Sequence, residues 1–101
     1  MDRPLSYAEI LKKTVQDAVA DQPRIQAIKL YPICDIEAGH FLVLATGWDK
    51  KRWMNAVLFH ACLVEQRVFI EEDNFEESLT EVLIAGGVAV EDIVMPVRAV
   101  G

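Results

Sequence analysis

The chain has 101 residues, 52% of them hydrophobic and 26% charged, with a net charge of −6. This composition is that of a globular protein, so it excludes general disorder, and the length suits a single domain over residues 1–101. The charge is uneven, because residues 65–101 hold two basic and nine acidic side chains. Phosphate binding needs clustered Lys and Arg, so direct nucleic-acid binding is not expected of this chain on its own.

Several functional classes have no support in the sequence. No apolar run approaches the length of a membrane span, and the first residues lack the order of a signal peptide, which predicts a cytoplasmic protein without membrane contact. Cys34 and Cys62 lie in apolar stretches without a second Cys or His at zinc spacing, and we interpret both as reduced core thiols. Nucleotide-binding, hydrolase and metalloprotease motifs are absent. The sequence therefore predicts no cofactor, no metal ligands and no catalytic residues.

The first predicted element is an amphipathic helix. Ser6 is its expected N-cap, and Glu9, three residues later, completes a capping box. Apolar residues recur at helical spacing as far as Val19, and residues 21–23 (Asp-Gln-Pro) end the helix. The pattern predicts a helix that packs its apolar stripe against another element.

A sheet is predicted next. Pro32 cannot donate a hydrogen bond to a neighbouring strand, so the first strand is expected at an edge or with a bulge. A polar connection at 48–51 and a tight turn at 65–66 separate later strands, and such short turns favour an antiparallel meander. The predicted strands are residues 25–33, 40–46, 52–64 and 67–71.

A second helix follows the sheet. Asp73 or Asn74 is its expected N-cap, and Glu76 lies in its first turn, where the helix dipole favours anions. Gly87 is expected to end it, and residues 88–94 return as a short terminal strand. The sequence thus predicts an α+β fold with an N-terminal helix, an antiparallel sheet of four or more strands, a second helix and a short C-terminal strand.

The predicted sheet is apolar on both faces. Along strand 52–64, Phe59 and other apolar residues occupy the odd positions, while Leu58 and its neighbours occupy the even ones. An antiparallel sheet in a monomer usually has one wet face, and two helices cover only the other. We therefore expect the surplus apolar face to be a protein interface, including one between copies of the chain in a homo-oligomer. Cover by the chain's own terminal segments is the alternative.

Few residues suggest a functional site. His60 lies mid-strand on an apolar face, where a structural histidine and a ligand-binding one both remain open. Trp48 and Asp49 precede three cations at 50–52, which are typical of a solvated hairpin end, with a weak nucleic-acid contact as the alternative. The acidic residues between 71 and 77 are interpreted as solvated or helix-starting rather than metal-binding. No nucleophile has an evident general base.

Several short motifs nevertheless occur in a recognisable order. They are Gly47-Trp48-Asp49, His60 thirteen residues after the glycine, Val68-Phe69-Ile70, Asp73 with Glu76, and Gly86-Gly87-Val88 followed by Glu91-Asp92-Ile93-Val94. In this order and spacing, residues 40–94 resemble the XisI family, the fdxN element excision controlling factor family of cyanobacteria. The chain departs from that family's pattern at Trp53, where an arginine is usual, at Cys62, where an acidic residue is usual, and at Ala89, where a proline is usual.

The resemblance implies a role in the programmed excision of a DNA element by a site-specific recombinase, together with a nuclease-like partner protein, XisH. It supplies no catalytic residues and so favours a non-enzymatic accessory protein that acts through protein–protein contact. A small-molecule-binding domain and a weak DNA-binding cofactor are the alternatives. The candidate interaction or structural residues are Trp48, Asp49, His60, Asp73 and Glu76.

Overall fold

The computed structural model describes residues 6–20 and 27–95. The elements, in chain order, are α1 (Tyr7–Ala18), β1 (Ala27–Asp35), β2 (His40–Asp49), β3 (Arg52–Val64), β4 (Arg67–Asp73), α2 (Leu79–Gly86), a 3-10 turn (Val90–Asp92) and β5 (Ile93–Val94). The strands form one sheet in the order β1-β2-β3-β4-β5. Strands β1 to β4 are antiparallel, while β5 runs parallel to β4. The predicted fold class is confirmed.

Helix α1 begins as predicted. The Ser6 hydroxyl accepts a hydrogen bond from the Glu9 amide, and the Glu9 carboxylate accepts one from the Ser6 amide. This capping box satisfies donors that would otherwise lack partners at the start of the helix. Further along the helix, Leu11 and Val15 are fully buried. The predicted helix end at 21–23, and the first two residues of the predicted strand 25–33, lie outside the described residues.

The first two hairpins differ in part from the predicted boundaries. Strand β1 lies at the edge of the sheet, so Pro32 occurs where it costs no internal hydrogen bond. The predicted polar connection at 48–51 is wrong at its start, because Trp48 and Asp49 pair with residues of β3 and only two residues form the turn. The polar character of Asp49 and the lysines after it concealed this strand end. Strand β3 has the predicted bounds.

Strict alternation along β3 is wrong at one point. Val43 pairs with Phe59 and Leu44 pairs with Val57, so Leu58 is an extra residue in a β-bulge. A bulge exchanges the two faces of a strand for every residue beyond it. The odd-numbered residues before Leu58 and those after it therefore lie on opposite faces of the sheet.

Helix α2 starts later than predicted. Its N-cap is Ser78, whose hydroxyl accepts a hydrogen bond from the Thr80 amide, and neither Asp73 nor Asn74 holds that position. Asp73 ends β4 instead, and Glu76 lies in the bend before the helix rather than in its first turn. Gly87 follows the helix at a φ of 123°, as a helix C-terminus often requires.

Both helices pack on one side of the sheet, which we call the core face. Burying each large apolar side chain there contributes about 1.5–3 kcal/mol. The Tyr7 hydroxyl donates to Asp92 and accepts from the Ala89 amide, so it joins α1 to the 3-10 turn, and the bond to Asp92 raises the Tyr7 pKa. The buried cluster consists of Ile10, Leu11, Val15, Phe41, Val43, Phe59, Ala61, Val68, Ile70, Leu79, Leu83 and Val88.

Candidate functional site

The other side of the sheet, which we call the outer face, carries neither helix. Among the described residues, nine large hydrophobic side chains are exposed, and five of these lie on the outer face. The sequence prediction of a second apolar face is therefore confirmed for the described part of the chain. The register places these side chains on it: Tyr31, Ile33, Leu42, Leu44, Trp48, Trp53, Val57, Val64 and Phe69.

The charged residues named on the outer face lie on its two flanking strands, β1 and β4. Lys29 and Asp35 project from edge strand β1, and Arg67 and Glu72 project from β4. The central strands β2 and β3 carry most of the apolar side chains, together with the polar residues His40, Thr46, Asn55, His60 and Cys62. An apolar centre with a charged rim is the usual anatomy of a protein–protein interface.

A tryptophan pair lies at one end of the outer face. Trp48 and Trp53 are directly opposite across β2 and β3, and their ring centroids are 5.4 Å apart in an edge-to-face arrangement. Trp48 is 53% exposed and Trp53 is 59% exposed. Tryptophan is enriched among the residues that contribute most of the binding free energy in protein interfaces. This exposed pair can therefore serve as an anchor for a partner.

A cluster of three polar side chains lies elsewhere on the same face. His60 and Cys62 are two positions apart on β3, and His40 is paired with Cys62 across β2. The His40 Nδ1 atom lies 3.0 Å from His60 Nε2 and 3.2 Å from Cys62 Sγ. The distance from Cys62 Sγ to His60 Nε2 is 3.6 Å. These are the three described residues whose side chains could together hold a metal ion.

The surroundings of this cluster are partly acidic. Asp35 pairs with His40, and Glu72 pairs with His60, on either side of the cluster. Burial raises the pKa of the Cys62 thiol, and the negative charge of Glu71 adds to the rise. The thiol therefore does not have the lowered pKa of an activated nucleophile.

The structure separates the residues that the sequence grouped as one site. Along β2, Trp48 is six positions from Leu42, the residue paired with His60, which corresponds to roughly 20 Å. Trp48 thus belongs to the tryptophan pair, and Asp49 follows it at the same hairpin end. His60 instead belongs to the histidine–cysteine cluster. Sequence reasoning treated these as a single site because strand position alone does not show distance along the sheet.

Asp73 and Glu76 belong to neither group. The Asp73 carboxylate accepts hydrogen bonds from the Ser78 hydroxyl, the Leu79 amide and both the amide and hydroxyl of Thr80. Asp73 therefore stabilises the start of α2 from the end of β4, which is a structural role. Glu76 is exposed in the preceding bend.

The interpretation of both cysteines as core thiols is wrong for Cys62. Cys34 packs against the buried cluster, as predicted, and burial raises its thiol pKa. Cys62 instead lies on the outer face beside two histidines. The sequence signal was the His-x-Cys spacing of residues 60–62, which places two side chains on one strand face. His40 could be added only once the strand register was known.

Similarity to known proteins shows the family of this chain. Residues 1–100 match the family model described as XisI protein. The chain belongs to the XisI family. The sequence has no significant match among curated proteins. Neither described helix is long and apolar enough to cross a membrane.

Two solved structures resemble this XisI-family chain. A XisI-like protein from Anabaena variabilis ATCC 29413 has 24% sequence identity and a TM-score of 0.82, over 92% of this chain and 85% of that one. The fdxN element excision controlling factor XisI from the same organism has 22% identity and a TM-score of 0.59, over 85% of this chain and 80% of its own. Both likenesses concern the fold.

Proposed function

We propose that this XisI-family protein is a non-enzymatic accessory factor that controls the excision of a DNA element by a site-specific recombinase. It acts in the cytoplasm by direct contact with an XisH-like protein. The observation that carries the proposal is the outer face, because its exposed apolar side chains form a surface suited to a protein rather than to a small substrate. Membership of the XisI family, and the similar fold of a protein called an fdxN element excision controlling factor, support the excision role.

The outer face is the docking surface in this proposal. Its apolar centre includes Leu44 and Val57, and its exposed anchors are Trp48 and Trp53. The sheet already has a fully buried core on its other side, so folding does not require the outer face to be covered. In the absence of the partner, the same surface supports a homo-oligomer, since exposed apolar patches of this kind also pair with their own copies.

The named charges on the outer face are balanced, and it is an acidic segment beside that face that supports an XisH-like partner. The acidic side chains near the end of β4 include Glu71 and Glu72, and residues 65–101 are strongly acidic. A nuclease-like protein presents a basic surface toward nucleic acid, and an acidic neighbour is electrostatically complementary to it. Attraction between this acidic segment and the basic surface of the partner steers the two proteins together. Their contact can also block the partner's access to DNA.

Light scattering on mixtures of the two purified proteins tests the proposal. The wild-type chain should form a stoichiometric complex with its XisH-like partner. Tyr31→Glu on the outer face should weaken that complex at least about tenfold, because it places a charge in the desolvated interface. Val82→Glu is the matched control, since Val82 on α2 has the same 45% exposure as Tyr31. A homodimer that ignores the partner, or equal effects of both substitutions, would contradict the proposal.

A further inference from the structure

The histidine–cysteine cluster, His40, His60 and Cys62, combines three strong metal-ligand side chains. Each offers one ligand atom, and all three atoms lie within 4.8 Å of one another. Imidazole nitrogen and thiolate sulfur are the donors that zinc sites use most often. The two imidazole rings are tilted by 31° to each other, and their centroids lie 5.2 Å apart.

The sheet holds these ligands in place. His60 and Cys62 are separated by two positions on β3, so their side chains project from the same face. His40 is directly opposite Cys62 on the neighbouring strand. Because β2 and β3 are each hydrogen-bonded to a strand on both sides, the three backbone positions are fixed before any ligand arrives. A site built on paired strands is therefore preorganised.

The distances match those between ligands of a tetrahedral zinc ion. Zinc–nitrogen bonds of about 2.05 Å and zinc–sulfur bonds of about 2.3 Å place two nitrogens about 3.3 Å apart and a nitrogen and a sulfur about 3.6 Å apart. The observed nitrogen–nitrogen distance is 3.0 Å, and the sulfur–nitrogen distances are 3.2 and 3.6 Å. Shifts of a few tenths of an ångström bring all three atoms to one ion.

The charges around the cluster favour a cation. The cross-strand neighbours of the three ligands are Asp35, Leu42, Phe69 and Glu72, so two are carboxylates and none is basic. His40 is exposed and the other two ligands are half-buried, which gives an ion access from solvent. Three protein ligands leave the fourth tetrahedral position open to water or to a side chain of a docked protein.

We propose that His40, His60 and Cys62 form a zinc-binding site with one open coordination position. His40 coordinates through Nδ1 and His60 through Nε2, each as a neutral ring that keeps its proton on the other nitrogen. Cys62 coordinates as a thiolate and releases its proton to solvent. A Cys–His catalytic pair fits less well, because two histidines converge on each other as closely as on the sulfur.

Titration of metal-free protein with Zn²⁺, followed by calorimetry, measures the site. The wild-type chain should bind one ion, and Cys62→Ala should weaken binding at least about 100-fold because it removes one of three ligands. Cys34→Ala is the matched control, since Cys34 is the other cysteine and packs toward the core. It should leave zinc binding unchanged.

Cobalt identifies the ligands independently of affinity. Co²⁺ in place of zinc should give tetrahedral visible bands and a thiolate-to-metal charge-transfer band that survives Cys34→Ala and disappears in Cys62→Ala. His40→Gln, at an exposed position, should alter the visible bands, and circular dichroism confirms that each variant is folded. No saturable zinc binding by the wild-type chain, or equal binding by Cys62→Ala, would overturn the proposal.

Discussion

The two faces of the same sheet differ in how far their apolar side chains are buried. On the core face, Phe41 and Phe59 are fully buried beneath the helices. On the outer face, Trp48 and Trp53 leave more than half of their surface in contact with solvent. The same apolar strands therefore stabilise the fold through buried side chains on one side and leave apolar surface exposed to solvent on the other. The difference indicates that the fold does not depend on covering the outer face, which is the surface that we propose for contact with another protein.

The largest expected effect separates two neighbouring positions across the β3 bulge. Phe59→Ala should lower the free energy of unfolding by about 3–5 kcal/mol, because it opens a cavity in the buried cluster. Val57→Ala, on the half-buried outer face, should cost only about 1 kcal/mol. Urea denaturation measures both. Equal losses would mean that the two faces contribute equally to stability.

A second pair of substitutions compares a strand glycine with a helix glycine. Gly47 has a φ of 146°, and a Cβ atom there would lie 2.0 Å from the Ala27 carbonyl oxygen. Gly47→Ala should therefore destabilise the β1–β2 pairing by about 1–3 kcal/mol. Gly86→Ala meets only the Ile10 Cγ2 atom, at 3.2 Å, and should change stability by less than about 1 kcal/mol. Thermal unfolding distinguishes them, and a larger loss at Gly86 would refute the close approach of β1 to β2.

A third pair tests how α2 is attached to the core face. Asp73→Ala removes the acceptor of four hydrogen bonds at the helix start and should cost about 1–2 kcal/mol in the free energy of unfolding. Glu76→Ala, in the exposed bend, should have almost no effect. Chemical denaturation of both variants is the measurement. If Glu76→Ala lowered the free energy of unfolding as much as Asp73→Ala, the result would favour the earlier helix start that the sequence predicted.

The smallest expected effect concerns the cations of the β2–β3 turn. Lys50 adopts a φ of 60°, so it is best replaced by asparagine, which tolerates that conformation. Lys50→Asn combined with Lys51→Ala should change stability by less than about 0.5 kcal/mol and leave the partner complex intact. Salt-dependent DNA binding lost in this variant would favour the alternative of a DNA-binding cofactor.

Much of the fold follows from local sequence signals. The capping box at Ser6, the bounds of β3 and the glycine after α2 are each determined by nearby residues. The apolar outer face was also predictable, because strands alternate and two helices cover only one side. The start of α2 was missed because Asp73 reaches the helix from a strand end, which mimics an N-cap in the sequence.

The site was less predictable than the fold. The Leu58 bulge exchanges the faces of β3, and no residue type in that apolar run marks where the extra residue lies. His40 joins Cys62 only through the β2–β3 register, which depends on that bulge and on the turn length. His60 was correctly placed on an apolar strand, but its separation from Trp48 required the strand pairing.

Fluorine NMR on the partner complex tests the role of the outer face most directly. The chain has two tryptophans, Trp48 and Trp53, and both lie on that face, so 5-fluorotryptophan labels it alone. Adding the unlabelled XisH-like partner should shift both fluorine signals and reduce their sensitivity to solvent, as the indole rings become buried. A complex that forms with both signals unchanged would contradict docking through the outer face.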